Sequence, residues 1–175
     1  RQDIVLMYGD IGNKLFDNFK SKYPTRYFNC GVAEASMVSV AAGLAHKGFK
    51  PFVYTINAFL YLKALEQIKL DICYPNLPVI LVGTGSGLSY SGLGTTHHSL
   101  EDIGTLRNIP NLSIYAPHGP KELEGCIKHA LSMGLPSYIR IGKKETSDLP
   151  TLNLESSQDG YLKPYLTRKT NTNVN

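Results

Sequence analysis

The stretch PFVYTINAFLYLKALEQIKLDICYPNLPVILV, residues 51–82, contains the repeating unit of this protein. It begins with a short apolar run at 51–54 and ends with another at 78–82. Between them, at 58–72, apolar side chains recur at about every 3.6 positions, which is typical of an amphipathic helix. Short apolar runs are typical of buried strands. The stretch therefore predicts a strand, a helix and a second strand.

The same alternation continues in both directions along the chain. Further apolar runs lie at 4–7, 26–28, 112–116 and 137–141, and further helical patterns lie at 99–109 and 120–133. Strands that alternate with helices favour a mostly parallel sheet with helices on both faces. The predicted fold class is α/β, a three-layer α/β/α arrangement with about six strands.

Composition excludes several classes of protein. With 175 residues, 42% hydrophobic and 18% charged, the chain is expected to fold as one domain with a sizeable core and not as a disordered tail. The net charge of +4 comes from scattered lysines and arginines, so nucleic acid is not an expected partner. No apolar stretch approaches the length of a membrane span, and no export segment is visible.

Three cysteines, Cys30, Cys73 and Cys126, lie far apart and match neither a disulfide framework nor a zinc site. They favour a reducing, cytoplasmic setting. The strand and helix pattern ends near residue 145, so we expect a domain at 1–145 and a linker or extension at 146–175, with a short hairpin around QDGY (158–161). The first residue is Arg and the last residues are TNTNVN, which favours a piece of a longer polypeptide whose C-terminal domain is missing.

Ligands of open parallel sheets bind beyond the carboxyl ends of the strands. The polar, aromatic and glycine-rich features that follow the predicted strands are therefore expected at one edge: Asp10, Glu34, Thr55, Asn57, Phe59, the loop 83–98, His118 and Lys143.

The loop GTGSGLSYSGLGTTHH, residues 83–98, is rich in glycine but matches neither common nucleotide-binding motif. It is either a flexible surface loop or, given its length without a helix, a functional one. His97 and His98 at its end are either capping neighbours or include an acid, base or anion-orienting group. A metal site is not favoured, because adjacent side chains point apart and no further ligands have suitable spacing.

Glu34 is the one charged side chain in FNCGVAEASMVSVAAGLA, residues 28–45. An acid in the first turn of a helix is common, because the helix dipole favours it there. The apolar neighbours Val32, Met37 and Val38 also predict poor solvation, which favours a protonated carboxyl that can exchange a proton with a ligand nitrogen. The residues alone leave both interpretations open.

Several ordered segments carry a family resemblance. RYFNCGVAEASMVSVAAGLAHKGFKPFVYT (26–55), GLGTTHHSLEDIGTLRNIPNLSIYAP (92–117) and SYIRIGKK (137–144) resemble the pyrimidine-binding domain of the transketolase family of thiamine diphosphate enzymes. The resemblance covers roughly residues 3 to 144 and implies the thiamine diphosphate-binding fold.

The resemblance implies roles for individual residues at the cofactor. Glu34 matches the glutamate that hydrogen-bonds N1′ of the aminopyrimidine and promotes loss of the thiazolium C2 proton, and Phe59 matches the aromatic that stacks on the pyrimidine. Ile56 and Leu62 take places where a second aromatic and a tyrosine are usual, so the pocket wall departs from the family pattern. Asp10 corresponds to an aspartate near the active site.

On the substrate side, His97 matches the histidine that faces the reacting substrate, and His98 is expected behind it or at the surface. Lys143 falls near an arginine that binds a sugar phosphate, and a lysine can hold phosphate as a point charge. Leu93 replaces an aspartate that recognises a substrate hydroxyl, which argues against ordinary pentose phosphate transketolase activity.

The family also implies a partner. Its diphosphate-binding half holds Mg²⁺ with a G-D-G motif, which neither YGDIG nor QDGY matches here. We therefore expect a separate diphosphate-binding domain or subunit that carries Mg²⁺, no metal on this chain, an inactive isolated chain, and a homo-oligomer such as a dimer.

The expected function is that of a transferase. The domain would activate thiamine diphosphate for two-carbon ketol transfer between small sugar-like or keto substrates. The alternatives are another thiamine diphosphate reaction, similar to deoxyxylulose phosphate synthase or the β half of a 2-oxo acid dehydrogenase, and a non-catalytic assembly domain.

Overall fold

In the computed structural model, six strands and six α-helices lie before residue 144, and they alternate except that two helices follow each other between the third and fourth strands. The structure describes residues 1–12 and 14–143, and the backbone alone of 152–156 and 162–166. The strands are β1 (Ile4–Tyr8), β2 (Tyr27–Asn29), β3 (Lys50–Ile56), β4 (Ile80–Thr84), β5 (Ser113–Tyr115) and β6 (Ser137–Ile141). The helices are α1 (Asp17–Lys22), α2 (Glu34–His46), α3 (Asn57–Lys63), α4 (Leu65–Gln67, continuing as a π-helix over Ile68–Cys73), α5 (Asp102–Leu106) and α6 (Pro120–Met133).

All six strands form one parallel sheet in the order β2-β1-β3-β4-β6-β5. At the centre, Thr55 of β3 pairs with Gly83 of β4, so the segments that follow these two strands leave the same edge of the sheet. Every strand predicted from an apolar run is present, and the predicted α/β class with a parallel sheet of six strands is confirmed.

Helices cover both faces of the sheet. Leu81 of β4 packs in a core that includes Val38 of α2 and Leu60 of α3, whereas its neighbour Ile80 packs with Cys126 of α6. Successive side chains of a strand point to opposite faces. A strand buried on both faces reads as a continuous apolar run, which explains the pattern at 78–82.

The predicted helix over 58–72 is interrupted. α3 ends at Lys63, and Ala64 has φ −117° and ψ 20°, outside the helical region. The chain then continues as the single turn of α4 and the π-helix. The interruption limits α3 to two turns, with Phe59 and Lys63 four positions apart and therefore on the same face of the helix.

A buried polar cluster supports the glycine-rich loop at the carboxyl edge. Asp102 of α5 accepts hydrogen bonds through Oδ2 from Asn57 Nδ2 (2.8 Å), Tyr138 OH (2.6 Å) and Arg140 Nε (2.8 Å). Asn57 Nδ2 also donates to Ser99 Oγ (2.6 Å), next to the end of the loop. One carboxylate therefore joins α3, α5 and β6, and burial together with the bond to Asp102 raises the pKa of Tyr138.

Beyond the sheet, the backbones of β7 (Leu152–Ser156) and β8 (Leu162–Leu166) pair in antiparallel fashion. They flank QDGY, where the sequence predicts a hairpin turn; the turn itself lies outside the described residues, as does the predicted domain boundary at 145. None of the helices within the described ranges combines the length and apolar character needed to span a bilayer.

Candidate functional site

Glu34 is the first residue of α2 and is 2% exposed. Its Oε1 accepts a hydrogen bond from Thr55 Oγ1 at 3.3 Å, and its Oε2 accepts one from Lys63 Nζ at 3.1 Å. A first-turn acid that served only the helix dipole would have no need of such burial. The carboxylate instead turns toward the junction of β3 and α3, where a hydroxyl and an ammonium hold it.

The end of β1 lies directly beside Thr55 and Glu34. A Cβ added to Gly9 would lie 2.7 Å from Thr55 Oγ1 and 3.6 Å from Glu34 Oε1, so only glycine allows β1 to approach so closely. Asp10 follows with φ 53°, and its Oδ1 accepts a hydrogen bond from Asn29 Nδ2 at 2.8 Å. Asp10 thus lies at the predicted edge and is tied to the segment that leads into α2.

Phe59 and Lys63 stand together on α3. Lys63 Nζ lies 4.4 Å from the centroid of the Phe59 ring while it donates to Glu34, so one ammonium contacts both the carboxylate and the aromatic ring. Phe59 is partly buried against the core formed by α2 and α3.

Three further side chains extend the site from Phe59 toward β6. The His97 ring meets Phe59 edge to face, with centroids 4.9 Å apart, and the Tyr90 ring lies 6.0 Å from that of His97. Lys143 Nζ, just after β6, lies 4.6 Å from the Tyr90 centroid. The contacts therefore run without interruption from Glu34 through Lys63, Phe59, His97 and Tyr90 to Lys143.

The glycine-rich loop carries His97 on its last turn, a 3₁₀ segment over Thr95–His97. His97 Nδ1 lies 3.0 Å from Thr96 Oγ1, and His98 Nε2 lies 3.4 Å from the carbonyl oxygen of Ser91 within the same loop. His97 thus faces the site through its ring, whereas His98 contacts its own loop.

Other predicted residues occupy different surroundings. Ile56 is buried at the end of β3, and Leu62, on α3, is 62% exposed. Leu93 is exposed in the loop. The backbone N–H of His118 donates to Glu122 Oε2 at the start of α6. The cofactor-binding roles of Ile56 and Leu62 stay predictions.

Two residues of the site were not predicted from the sequence, Lys63 and Tyr90. Lys63 had a usable signal, because it lies four positions after Phe59 and residues at that spacing share a helix face. Tyr90 had none, because its position depends on how the loop folds back over the edge. Over the residues that the structure describes, no group of three or more His, Cys, Asp or Glu side chains is placed to hold a metal ion.

Comparison with known proteins agrees with this geometry. The family model of the transketolase pyrimidine-binding domain matches residues 1–147. The chain is 42% identical over 131 residues to a subunit of the apulose-4-phosphate transketolase of Actinobacillus succinogenes, covering 75% of this chain and 42% of that protein. It is 40% identical over 133 residues to 1-deoxy-D-xylulose-5-phosphate synthase of Desulfotalea psychrophila, covering 76% of this chain and 20% of that protein.

Among solved structures, a split-gene transketolase described as an inactive β4 tetramer superposes with a TM-score of 0.75 at 31% identity, covering 85% of this chain and 48% of that one. The chain thus spans less than half the length of these relatives. Since the family match extends over most of the chain and the fold agrees, the chain belongs to the transketolase family, as its pyrimidine-binding domain.

Proposed function

We propose that the carboxyl edge of this sheet binds the aminopyrimidine end of thiamine diphosphate and activates it for group transfer. The observation that carries the proposal is the Glu34 carboxylate, which is almost fully buried and is linked through Lys63 to the Phe59 ring at the end of the central strands. A buried carboxylate is costly unless its partners are built around it, so such a group at a ligand-binding edge favours a function.

The residues fit an aminopyrimidine. An ionised carboxylate has about four lone-pair positions, and Thr55 and Lys63 take two of them, which leaves positions for a donor on the ligand. Phe59 offers a flat apolar surface for the ring. When bound, thiamine diphosphate supplies the nucleophilic carbon that attacks a donor carbonyl.

The chain's own residues hold and orient the reactants. Glu34 forms a hydrogen bond with N1′ of the aminopyrimidine and exchanges a proton with that nitrogen. Phe59 fixes the plane of the pyrimidine ring, so that the hydrogen bond between Glu34 and N1′ is straight. His97, in edge-to-face contact with Phe59, hydrogen-bonds the oxygen of the reacting substrate. Lys143, held over Tyr90, binds the substrate phosphate as a point charge.

The rest of the cofactor belongs to a partner. The diphosphate and Mg²⁺ would be held by a second domain or subunit of the same enzyme, with the cofactor between the two, and residues 146–175 would lead toward a further domain. Two similarities support this: one relative is named as a single subunit of its transketolase, and the split-gene structure is described as an inactive β4 tetramer. The working enzyme is then a cytoplasmic oligomer, at least a dimer, and the isolated chain is inactive.

Ketol transfer is the favoured reaction. The relative from Actinobacillus is named as a subunit of apulose-4-phosphate transketolase, and Leu93 in this chain agrees with a departure from ordinary pentose phosphate transketolase activity. The second candidate is deoxyxylulose phosphate synthesis, favoured by the similarity to the Desulfotalea enzyme. The two reactions differ in the donor and in whether CO₂ is released.

The test uses the full-length chain assembled with its diphosphate-binding half. Exchange of the C2 hydrogen of thiamine diphosphate is followed by NMR in the absence of substrate, in wild type, Glu34→Gln and the matched control Glu66→Gln, whose side chain is exposed beyond α3. We expect the Glu34→Gln exchange to be at least ~100-fold slower with the fold retained, which is the usual scale for a positioned acid or base.

Glu66→Gln should exchange at the wild-type rate. Equal rates in wild type and Glu34→Gln would remove the chemical role of Glu34 and return it to a helix-terminal acid. Donors are then compared in the wild-type assembly: consumption of a ketose phosphate without CO₂ supports ketol transfer, and consumption of pyruvate with CO₂ release supports the second candidate.

A further inference from the structure

The Lys63 ammonium occupies a position that no other described cation shares, between the Glu34 carboxylate and the Phe59 ring. Its Nζ is 3.1 Å from Glu34 Oε2 and 4.4 Å from the ring centroid. Because Lys63 follows Phe59 by about one turn of α3, the two side chains share a face of the helix, and the ammonium contacts both the ring and the carboxylate.

The ion pair is unequal in burial. The Glu34 side chain is 1% exposed, whereas the Lys63 side chain is 46% exposed. For comparison, both partners of the Glu124–Lys128 pair on α6 are largely exposed, and pairs of that kind contribute little. A buried carboxylate that loses its cation keeps the full cost of desolvation. Loss of the ion pair should therefore cost the buried Glu34 more free energy than the half-exposed Lys63.

Thr55 does not replace this cation. Its hydroxyl is neutral and donates one hydrogen bond to Oε1, which fixes the direction of the carboxylate but does not compensate its charge. Thr55 on β3 thus fixes the direction of the Glu34 carboxylate, and Lys63 on α3 supplies the opposite charge.

We propose, resting on the function proposed above, that Lys63 is a positioning residue that acts through Glu34. It pairs with one carboxylate oxygen and fixes the direction of the group, so that the remaining lone pairs can receive an N–H donor from the aminopyrimidine. In the same position it holds the Phe59 ring that the pyrimidine stacks against. Lys63 thereby couples the stacking surface to the proton-exchanging group.

The test is a double-mutant cycle with Lys63→Met, Glu34→Gln and the double variant, and with Lys63→Arg as the conservative replacement. Methionine keeps an apolar stem beside Phe59 but removes the charge. All variants are made in the full-length chain and assembled with the diphosphate-binding half. C2 exchange of thiamine diphosphate, its calorimetric affinity, and urea unfolding of the full-length chain are measured for each.

Lys63→Met should slow C2 exchange at least about ten-fold, in the range of couplings between contacting residues. Lys63→Arg should recover most of the rate. In the Glu34→Gln background, Lys63→Met should cause no further slowing, because the charge that Lys63 serves is gone. Unfolding should follow the same pattern: Lys63→Met alone destabilises the chain, and adding Glu34→Gln restores much of the loss.

Equal slowing by Lys63→Met in both backgrounds would show a structural role independent of Glu34 and overturn the inference. A wild-type exchange rate in Lys63→Met would also overturn it, while leaving the proposed function intact. Absence of both cofactor binding and exchange in the wild-type assembly would instead overturn the proposed function, and this inference with it. The double variant contains no unpaired buried charge and should fold. If Lys63→Met alone folds poorly, the comparison of Glu34→Gln with the double variant still tests the inference.

Discussion

Phe59 and His97 meet edge to face, with ring centroids 4.9 Å apart and planes inclined at 64°, although one lies on α3 and the other at the end of the glycine-rich loop. Aromatic rings prefer such an arrangement. The family resemblance predicts one of them at the cofactor and the other at the substrate, and their contact brings the two residues into one site. The loop therefore reaches back over α3, and the polar cluster at Asp102 holds it there.

The Phe59 ring is expected to carry much of the affinity for the pyrimidine. Stacking of a base on an aromatic side chain is worth about 1–3 kcal/mol, so Phe59→Ala in the assembled enzyme should weaken thiamine diphosphate binding roughly 5- to 150-fold. Phe59→Tyr keeps the ring face and should bind within the error of wild type. Isothermal titration calorimetry measures both, and an unchanged dissociation constant in the alanine variant would contradict stacking at this residue.

Lys143 is expected to act on a phosphorylated substrate and not on the chemistry. Lys143→Met should raise the KM for a phosphorylated acceptor and leave kcat unchanged, because a contact made equally in the ground and transition states affects binding alone. An unphosphorylated acceptor should be used equally well by both proteins. Lys128→Met, on the exposed face of α6, is the matched control. A fall in kcat without a change in KM would exclude the phosphate role.

Gly83 of β4 packs against the side chain of Asn57, the first residue of α3. A Cβ there would overlap the Asn57 side chain, so Gly83→Ala should displace the first residue of α3 and cost about 1–3 kcal/mol of unfolding free energy, the usual scale of overpacking. Gly43, inside α2, has open space around its Cβ position, and Gly43→Ala should stabilise the chain by about 0.5–1 kcal/mol. Urea denaturation distinguishes the two, and equal midpoints would refute the steric argument.

The three cysteines should differ in reactivity. Burial raises the pKa of Cys73 to about 12, burial and the nearby Glu122 raise the pKa of Cys126 to about 11, and burial raises the pKa of the half-buried Cys30. Since the thiolate is the reactive form, a thiol reagent at neutral pH should modify native Cys73 and Cys126 slowly and all three cysteines rapidly in urea. In the native protein, Cys30→Ser should remove most of the initial reaction.

The buried thiols of Cys73 and Cys126 should make the unfolding free energy depend on pH in the alkaline range. The folded chain retains protons on Cys73 and Cys126 at pH values where an unfolded thiol, with a pKa of about 8.5, has lost them. The folded state therefore binds more protons, and the unfolding free energy should fall as the pH rises from that value toward the raised pKa values of the two folded thiols. Replacing Cys73 with alanine should flatten this decline; an unchanged slope would argue against the shift.

Much of the fold follows from periodicity. The run at 78–82 predicts a strand buried on both faces, and β4 contributes Ile80 to one core and Leu81 to the other. The parallel order brings the carboxyl ends of β1, β2 and β3 to one edge of the sheet, which is why Asp10, Glu34 and Phe59 share that edge although they are distant in sequence. No detail of side-chain contact is needed for this step.

What could not be predicted depends on local breaks and loop geometry. The spacing of Phe59 and Lys63 predicts that they share a face of α3, but it does not predict that the Lys63 ammonium reaches Glu34 on α2. The position of Tyr90 depends on a loop whose course is fixed by contacts made far along the chain. The family resemblance predicts the roles of Glu34 and His97, whereas the contact between Lys63 and Glu34 was found only in the structure.

Both margins of the sheet are short. β2 at one margin and β5 at the other have three residues each, whereas the central β3 has seven. Unpaired backbone groups on a long margin would invite another chain to add a strand, with aggregation as the result. The six-stranded sheet therefore offers little backbone for strand addition at either margin. A second polypeptide that approached this sheet would meet mainly its covering helices and the loops at its edges.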